Sequence, residues 1–374
     1  MTTYLDMNAT TPVHAEVADL VRKMLLEEFG NAGSRTHEFG ASAKRAVEIA
    51  RSQVASVIEV DKSEVIFTSG ATESNNIAIL GLREFAEKNG KKHIITSKIE
   101  HKAVLEPIEH LEKLGFEVTY LNVDEGGLVS LTELEEILRD DTVLISLMHV
   151  NNEVGTIQPI KDVCQLLGNH EAYLHIDAAQ SFGKYSDALK NNRIDLISAS
   201  GHKVFAPKGV GALITRKREF IKPPLKPIMF GGGQERGLRP GTLATPLIAG
   251  FGLACEIAKK NASQWQISAE KLKANLITEF KDLNIEINGI NTSPYMLNFS
   301  VPGVNSEAVM VMLKGIAAVS NGSACTSNSY TPSHVLSAMG LSDDRISGSI
   351  RMSWGPMTRE LPTKDIISVF KSLM

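Results

Sequence analysis

Lys203 follows His202 directly after a short apolar run that ends in small residues, Asp195-Leu196-Ile197-Ser198-Ala199-Ser200-Gly201. Ligands of open α/β sheets bind at strand ends of this kind. A half-desolvated lysine there holds its proton less firmly and becomes a usable amine nucleophile. By itself the residue reads as a solvated surface charge, as most lysines are. Its company narrows the chemistry. Gly70-Ala71-Thr72-Glu73-Ser74-Asn75 reads as a strand-to-helix turn whose free N–H groups would cradle a phosphate, or as a capping box. Glu100-His101-Lys102 supplies a ring-sized side chain after another strand. Asn151-Asn152-Glu153 places polar groups after the apolar strand that runs to Val150.

Asp177, in His175-Ile176-Asp177-Ala178-Ala179-Gln180, is a carboxylate at a buried strand end. It needs a cationic partner: a protonated ring nitrogen, a structural arginine or a metal. His175 and Asp177 are read as facing opposite ways, which weakens the metal reading. Arg236-Gly237-Leu238-Arg239-Pro240-Gly241-Thr242 closes the set. Phosphate cradle, buried carboxylate, imidazole and amine together suit pyridoxal phosphate.

These residues need a scaffold that brings strand ends to one edge. Strand patterns fall at 64–68, 93–96, 116–122, 142–150, 172–176, 196–199 and 211–215. Helical patterns fall between most of them, including one predicted over 73–85. This alternation implies an α/β fold with a mostly parallel seven-stranded sheet covered on both faces. Two helices precede it, over 13–29 and 38–58, the second burying Ala46, Ile49, Ala50 and Val54. A long helix is predicted over 247–276, and α+β patterning follows. The expected division is a large unit, 13–258, and a small one, 1–12 plus 259–374.

The 374 residues carry a net charge of −4, and 43% are hydrophobic. That balance argues against direct nucleic-acid binding, which needs a basic face. Cys164, Cys255 and Cys325 are too few and too scattered for a disulfide framework or a zinc ribbon, so no metal is expected. Cys164 and Cys255 sit in apolar helical patterns and read as core residues. Cys325 sits among Ser, Thr and Asn. The start lacks a basic-then-apolar signal and no run is long enough to span a bilayer, so a cytoplasmic, membrane-free protein is expected.

The chain closely resembles the cysteine desulfurases, fold-type I pyridoxal-phosphate enzymes. The likeness is carried by Asp6–Pro12 (DMNATTP), Thr68–Asn75 (TSGATESN), Glu100–Lys102 (EHK), His149–Gly155 (HVNNEVG), Asp177–Gln180 (DAAQ), Ser200–Lys203 (SGHK) and Gly322–Ser327 (GSACTS). The resemblance implies that Lys203 holds pyridoxal 5'-phosphate as a Schiff base and that His101 stacks on its ring. Asp177 would meet the ring nitrogen and Gln180 the ring hydroxyl. Ala71, Thr72, Ser200 and His202 would hold the phosphate. Thr242 would reach the phosphate of a second copy, so a homodimer is implied. Asn152 and Arg351 would bind L-cysteine. Cys325, on a segment of about 320–333, would take its sulfur as a persulfide and leave L-alanine. A sulfur-acceptor protein would then collect the sulfur, in iron–sulfur, tRNA-thiolation or DNA-phosphorothioation chemistry. The alternatives are a selenocysteine lyase, or another fold-type I lyase or aminotransferase in which Cys325 is incidental.

Overall fold

The computed structural model describes residues 2–321, 332–358 and 360–374. The chain opens with β1 (Thr3–Tyr4), α1 (Ala15–Leu26) and α2 (Glu38–Val57). It continues through β2 (Val65–Thr68), α3 (Ala71–Leu80), α4 (Arg83–Asn89), β3 (His93–Ser97) and α5 (Lys102–Lys113). Next come β4 (Glu117–Leu121), α6 (Leu131–Ile137), β5 (Thr142–Met148), α7 (Ile160–Leu167), β6 (Tyr173–Asp177), β7 (Leu196–Ser200) and β8 (Gly211–Thr215).

Among the described residues these last seven strands form one sheet, in the order β2-β8-β7-β6-β5-β3-β4. β7, β6, β5, β3 and β4 run parallel, and β8 runs antiparallel to both β7 and β2. Two reversals make β2 parallel to β7. The ends of β2, β3, β5, β6 and β7 therefore share one edge, and that edge holds the polar stretches found in the sequence. Apart from the edge strand β4, the strands are almost entirely buried on both faces. Their buried Ile, Leu and Val side chains each contribute roughly 1.5–3 kcal/mol.

The predicted helix over 73–85 is two helices. Lys226 donates its N–H to the carbonyl of Gly81 at 2.9 Å, and a Cβ there would lie 3.0 Å from the Lys226 oxygen. A crossing segment thus breaks the helix at the one residue that admits it. A second correction concerns α2. Its buried stripe is Ala43, Val47, Ala50 and Val54, while Ile49 is 59% exposed and Ala46 only half-buried. Ala50 and Val54 are buried as expected, and Ala43 and Val47 take the places given to Ala46 and Ile49, because α8 (Thr245–Glu279) lies on that side; a Cβ on its Gly252 would overlap Ala50.

α8 serves two cores. Ile248, Phe251, Ala254, Cys255 and Ala258 join the core of the large sheet. Ala269 and Leu276 join another, built with β9 (Glu286–Ile287), β10 (Met296–Ser300), α9 (Ser306–Met312) and β11 (Ala317–Ala318). α10 (His334–Ala338), α11 (Asp343–Ser347), β12 (Ser349–Ser353) and α12 (Thr363–Leu373) complete the chain. β10 pairs antiparallel with β9 and β12. β1 pairs with β11 in parallel, and Leu5 is buried in this second core. Among the described residues no helix is long and apolar enough to cross a membrane.

Candidate active site

A cavity of about 530 Å³ opens along the shared strand edge. Ala71, Thr72, His101, Asn152, Asp177, Gln180, Ser200, His202, Lys203 and Arg351 all line it, so the structure brings together ten of the residues named from the sequence. Thr242 does not line it and is exposed. Cys325 lies outside the described residues, as does most of the 320–333 segment.

The first wall is the turn after β2. Gly70, at φ +155°, caps α3 without any side-chain hydrogen bond. Neither Thr72 nor Ser74 serves as a helix cap, so the capping-box reading gives way. Thr68 instead locks the turn, its hydroxyl donating to the Gly70 carbonyl at 3.1 Å and meeting Ser74 Oγ at 2.8 Å. Arg239 holds the first helical turn through Glu73 at 2.7 Å. Gly211 lets the β8 backbone close on the turn, since a Cβ there would sit 2.6 Å from the Gly70 Cα.

Asp177 ends β6. Its Oδ1 accepts the Ala179 N–H at 2.9 Å and its Oδ2 accepts Asn75 Nδ2 at 2.8 Å. Asn75 is a positioning residue that motif reading left without a role. The faces assigned to His175 and Asp177 need correcting. Residues two apart on a strand share a face, and the Asp177 charge does act on His175. His175 is satisfied by hydroxyls, with Nδ1 at 2.8 Å from Ser146 Oγ and Nε2 at 2.9 Å from Ser198 Oγ. Burial pulls its pKa down to about 4.

The N-terminal stretch Asp6–Thr11 straps the site. Lys203 Nζ donates to the carbonyls of Asn8 and Ala9. Gln180 Nε2 donates to the Asn8 carbonyl at 2.9 Å, and its buried Oε1 has no partner among the described residues. Thr10 Oγ1 lies 3.2 Å from His202 Nδ1. Arg351 Nη2 donates to Asp6 Oδ1 at 2.7 Å and Nη1 to the Asn152 carbonyl at 2.8 Å. These main-chain acceptors carry no sequence signal of their own, so only the folded chain reveals them.

His101 caps α5, its Nδ1 accepting the Ala103 N–H at 3.0 Å. Burial pulls its pKa down; Asp177 opposes this and Lys203 adds to it. The imidazole is thus favoured neutral. Burial also draws the His202 pKa down to about 4, with Lys203, Lys208 and Lys184 acting in the same direction. Lys203 and Lys208, which line the same cavity, make this corner receptive to an anion.

Glu100 lies beneath this wall, only 1% exposed. Its Oε1 accepts Ser97 Oγ at 2.6 Å and the Met148 N–H at 3.0 Å, and its Oε2 is buried without a partner. Burial pushes its pKa up to about 8 against both hydrogen bonds, and Asp177 adds to the rise. A carboxyl whose pKa is raised by folding holds its proton more tightly in the folded state. Its contribution is therefore whole below its ordinary 4.5 and is lost as pH climbs toward about 8. Urea unfolding between about pH 5 and about pH 8 is expected to show stability falling by up to ~1.4 kcal/mol per pH unit from this group. Glu100→Gln should remove that slope; an unchanged slope would contradict the assignment.

The residues fit pyridoxal phosphate on observations of the chain itself. The uncapped helix start and cationic corner suit a phosphate. The doubly hydrogen-bonded Asp177 suits a protonated ring nitrogen. Gln180 Oε1, Asn152 Oδ1 and Arg351 Nε have no hydrogen-bond partner among the described residues and leave polar capacity for a ring hydroxyl and a substrate. Cys164 and Cys255 belong elsewhere: both are buried in the large core, and burial raises both thiol pKa values, Cys164 to about 11.

The family model for aminotransferase class-V matches residues 3–361. Cysteine desulfurase IscS of Vibrio cholerae is 48% identical over 362 residues, covering 96% of this chain and 89% of the relative. The mitochondrial cysteine desulfurase of Saccharomyces cerevisiae is 46% identical, covering 96% of this chain and 72% of the relative. Among solved structures, DndA from Streptomyces lividans matches with a TM-score of 0.83 and 51% identity, over 95% of this chain and all of that one. SspA in complex with cysteine matches with a TM-score of 0.83 and 38% identity, over 96% of this chain and all of that one. A family model over residues 3–361 and cysteine desulfurase relatives at 46–48% identity over 96% of the chain show that the chain belongs to the cysteine desulfurases of the class-V aminotransferase family.

Proposed function

We propose that this chain removes sulfur from L-cysteine with pyridoxal 5'-phosphate, giving L-alanine and a persulfide on Cys325. The observation that carries the reading is the single cavity lined by Lys203, His101, Asp177 and Arg351. When bound, the protonated pyridine supplies an electron sink for the substrate Cα. Lys203 anchors the cofactor, and its amine then takes the Cα proton. Asp177, held by Asn75 and the Ala179 N–H, keeps the ring nitrogen protonated. His101 covers the ring, and Gln180 meets its hydroxyl. Ala71, Thr72, Ser200 and His202 take the phosphate.

Arg351, aided by Asn152, takes the substrate carboxylate through a charge-assisted pair. The Cys325 thiolate attacks the substrate sulfur. The carbon–sulfur bond breaks as the sulfur–sulfur bond forms, and the carbon keeps the electron pair and gains a proton. The persulfide then passes to a thiol of an acceptor protein. The reducing cytoplasm suits a reaction that needs a free thiolate.

We read the chain as two units, 13–258 and 1–12 with 259–374, in keeping with the separate apolar clusters on the large sheet and around β10 and β12. We also read it as a homodimer in which Thr242 completes the partner's phosphate site. The exposed Phe230, 84% accessible just before that stretch, supports a covered surface there. Incubation with L-cysteine is expected to yield alanine and cyanide-reactive sulfur in equal amounts. Pyruvate or a transaminated product instead would favour the other lyase or aminotransferase, and turnover of selenocysteine alone would favour the selenocysteine lyase.

A further inference from the structure

Glu153 follows Asn152 in the turn after β5 and is 5% exposed. Asn151 sets that turn by accepting the N–H groups of Glu153 and Val154 at 2.8 and 3.0 Å. The Glu153 side chain does not line the cavity. It is aimed elsewhere: Ser333 Oγ donates to Glu153 Oε2 at 2.5 Å, and Ser333 is 4% exposed. A hydroxyl-to-carboxylate bond of this length in a dry site is among the stronger hydrogen bonds. The same Ser333 hydroxyl accepts the Leu336 N–H at 3.1 Å and so begins α10.

Ser333 stands eight residues after Cys325. Its neighbour His334 meets the Glu100 carbonyl at 2.9 Å, one residue before His101. On the other side of Cys325, Ser320 exchanges main-chain hydrogen bonds with Arg351 at 2.6 and 3.1 Å. Arg351 in turn donates to the Asn152 carbonyl. One dipeptide, Asn152–Glu153, therefore ties the substrate-binding arginine through its main chain and Ser333 through its side chain.

We propose that Glu153 is a positioning residue for sulfur transfer, holding Ser333 and the start of α10, eight residues beyond Cys325 in sequence, against the turn that carries Asn152. This rests on the desulfurase reading. Glu153 does not line the cavity, so its loss is expected to act on the sulfur-transfer step more than on cysteine binding. Misplacement of a reacting group by about 1 Å costs on the order of 10²-fold.

Glu153→Ala in the holoenzyme is expected to lower kcat for alanine formation by about 10- to 100-fold, with KM for L-cysteine within about threefold. Glu153→Gln keeps an oxygen for the Ser333 hydroxyl and should recover most of the rate. Ser333→Ala should resemble Glu153→Ala, and the double variant should be no slower than the slower single one. Amide exchange over residues 334–338 should quicken in Glu153→Ala and stay parental in Glu153→Gln. Parental kcat in Glu153→Ala, or Glu153→Gln as slow as Glu153→Ala, would overturn the proposal. If Glu153→Ala does not fold, Glu153→Gln, Ser333→Ala and the exchange measurement still decide it. A parent that forms no alanine would sink the desulfurase reading instead, and the exchange comparison would still test the tie.

Discussion

Lys203→Ala is expected to lose the absorbance band near about 400 nm and at least about 10³-fold in alanine formation. Under the proposed function the two losses have one cause, since the amine would both anchor the cofactor and take the Cα proton. The fold should survive. Lys203 donates to two carbonyls of the N-terminal strap, but Thr11 Oγ1 to the His202 carbonyl at 3.0 Å and Phe205 N–H to Thr11 Oγ1 at 3.0 Å hold the strap beside it. Circular dichroism and thermal unfolding should therefore stay close to parental. A Lys203→Ala protein that keeps the band would place the anchoring amine elsewhere. Lys208, which also lines the cavity, would be the next lysine to replace.

Cys325→Ala should divide the same chemistry differently. The band near about 400 nm is expected to remain, because Lys203, Asp177 and the turn at Gly70 are untouched. L-Cysteine should still bind and change that band, since Arg351 and Asn152 are intact. Alanine formation should fall on the order of 10³-fold or more, because no thiolate remains to accept the sulfur. In the parent, the rate should climb above neutrality as the Cys325 thiol ionises. A Cys325→Ala enzyme working at the parental rate would transfer the reading to the lyase alternative. Paired with Lys203→Ala, it separates cofactor attachment from sulfur capture.

The motif stretches were legible because each joins an apolar strand to polar residues at its end. That pattern named nine residues that line the cavity, from Ala71 to Lys203, and the family resemblance added Arg351. Less legible were the residues that orient them. Asn75 holds Asp177, yet an asparagine in the first turns of a helix looks like any other polar position. Asn8 serves Lys203 and Gln180 with its carbonyl, a group every residue has. Glu153 and Ser333 are 180 residues apart, and their bond exists only once two distant turns meet. The two corrected helices teach the same point. Ile49 matched the helical period of α2 but not the side against which α8 settled, and Gly81 broke a pattern because another segment crosses it.

The sequence by itself determined the fold class and the residue types of the site. Alternating apolar strands and helices admit few architectures, and an amine, a carboxylate and an imidazole at strand ends admit few chemistries. Tertiary structure alone decided which groups face one another. Two antiparallel steps around β8 turn β2 to the same edge as β6 and β7, and the N-terminal strap brings Asp6 to Arg351 across the chain. Period and composition are local properties, whereas a hydrogen bond between side chains far apart in sequence depends on how whole elements pack.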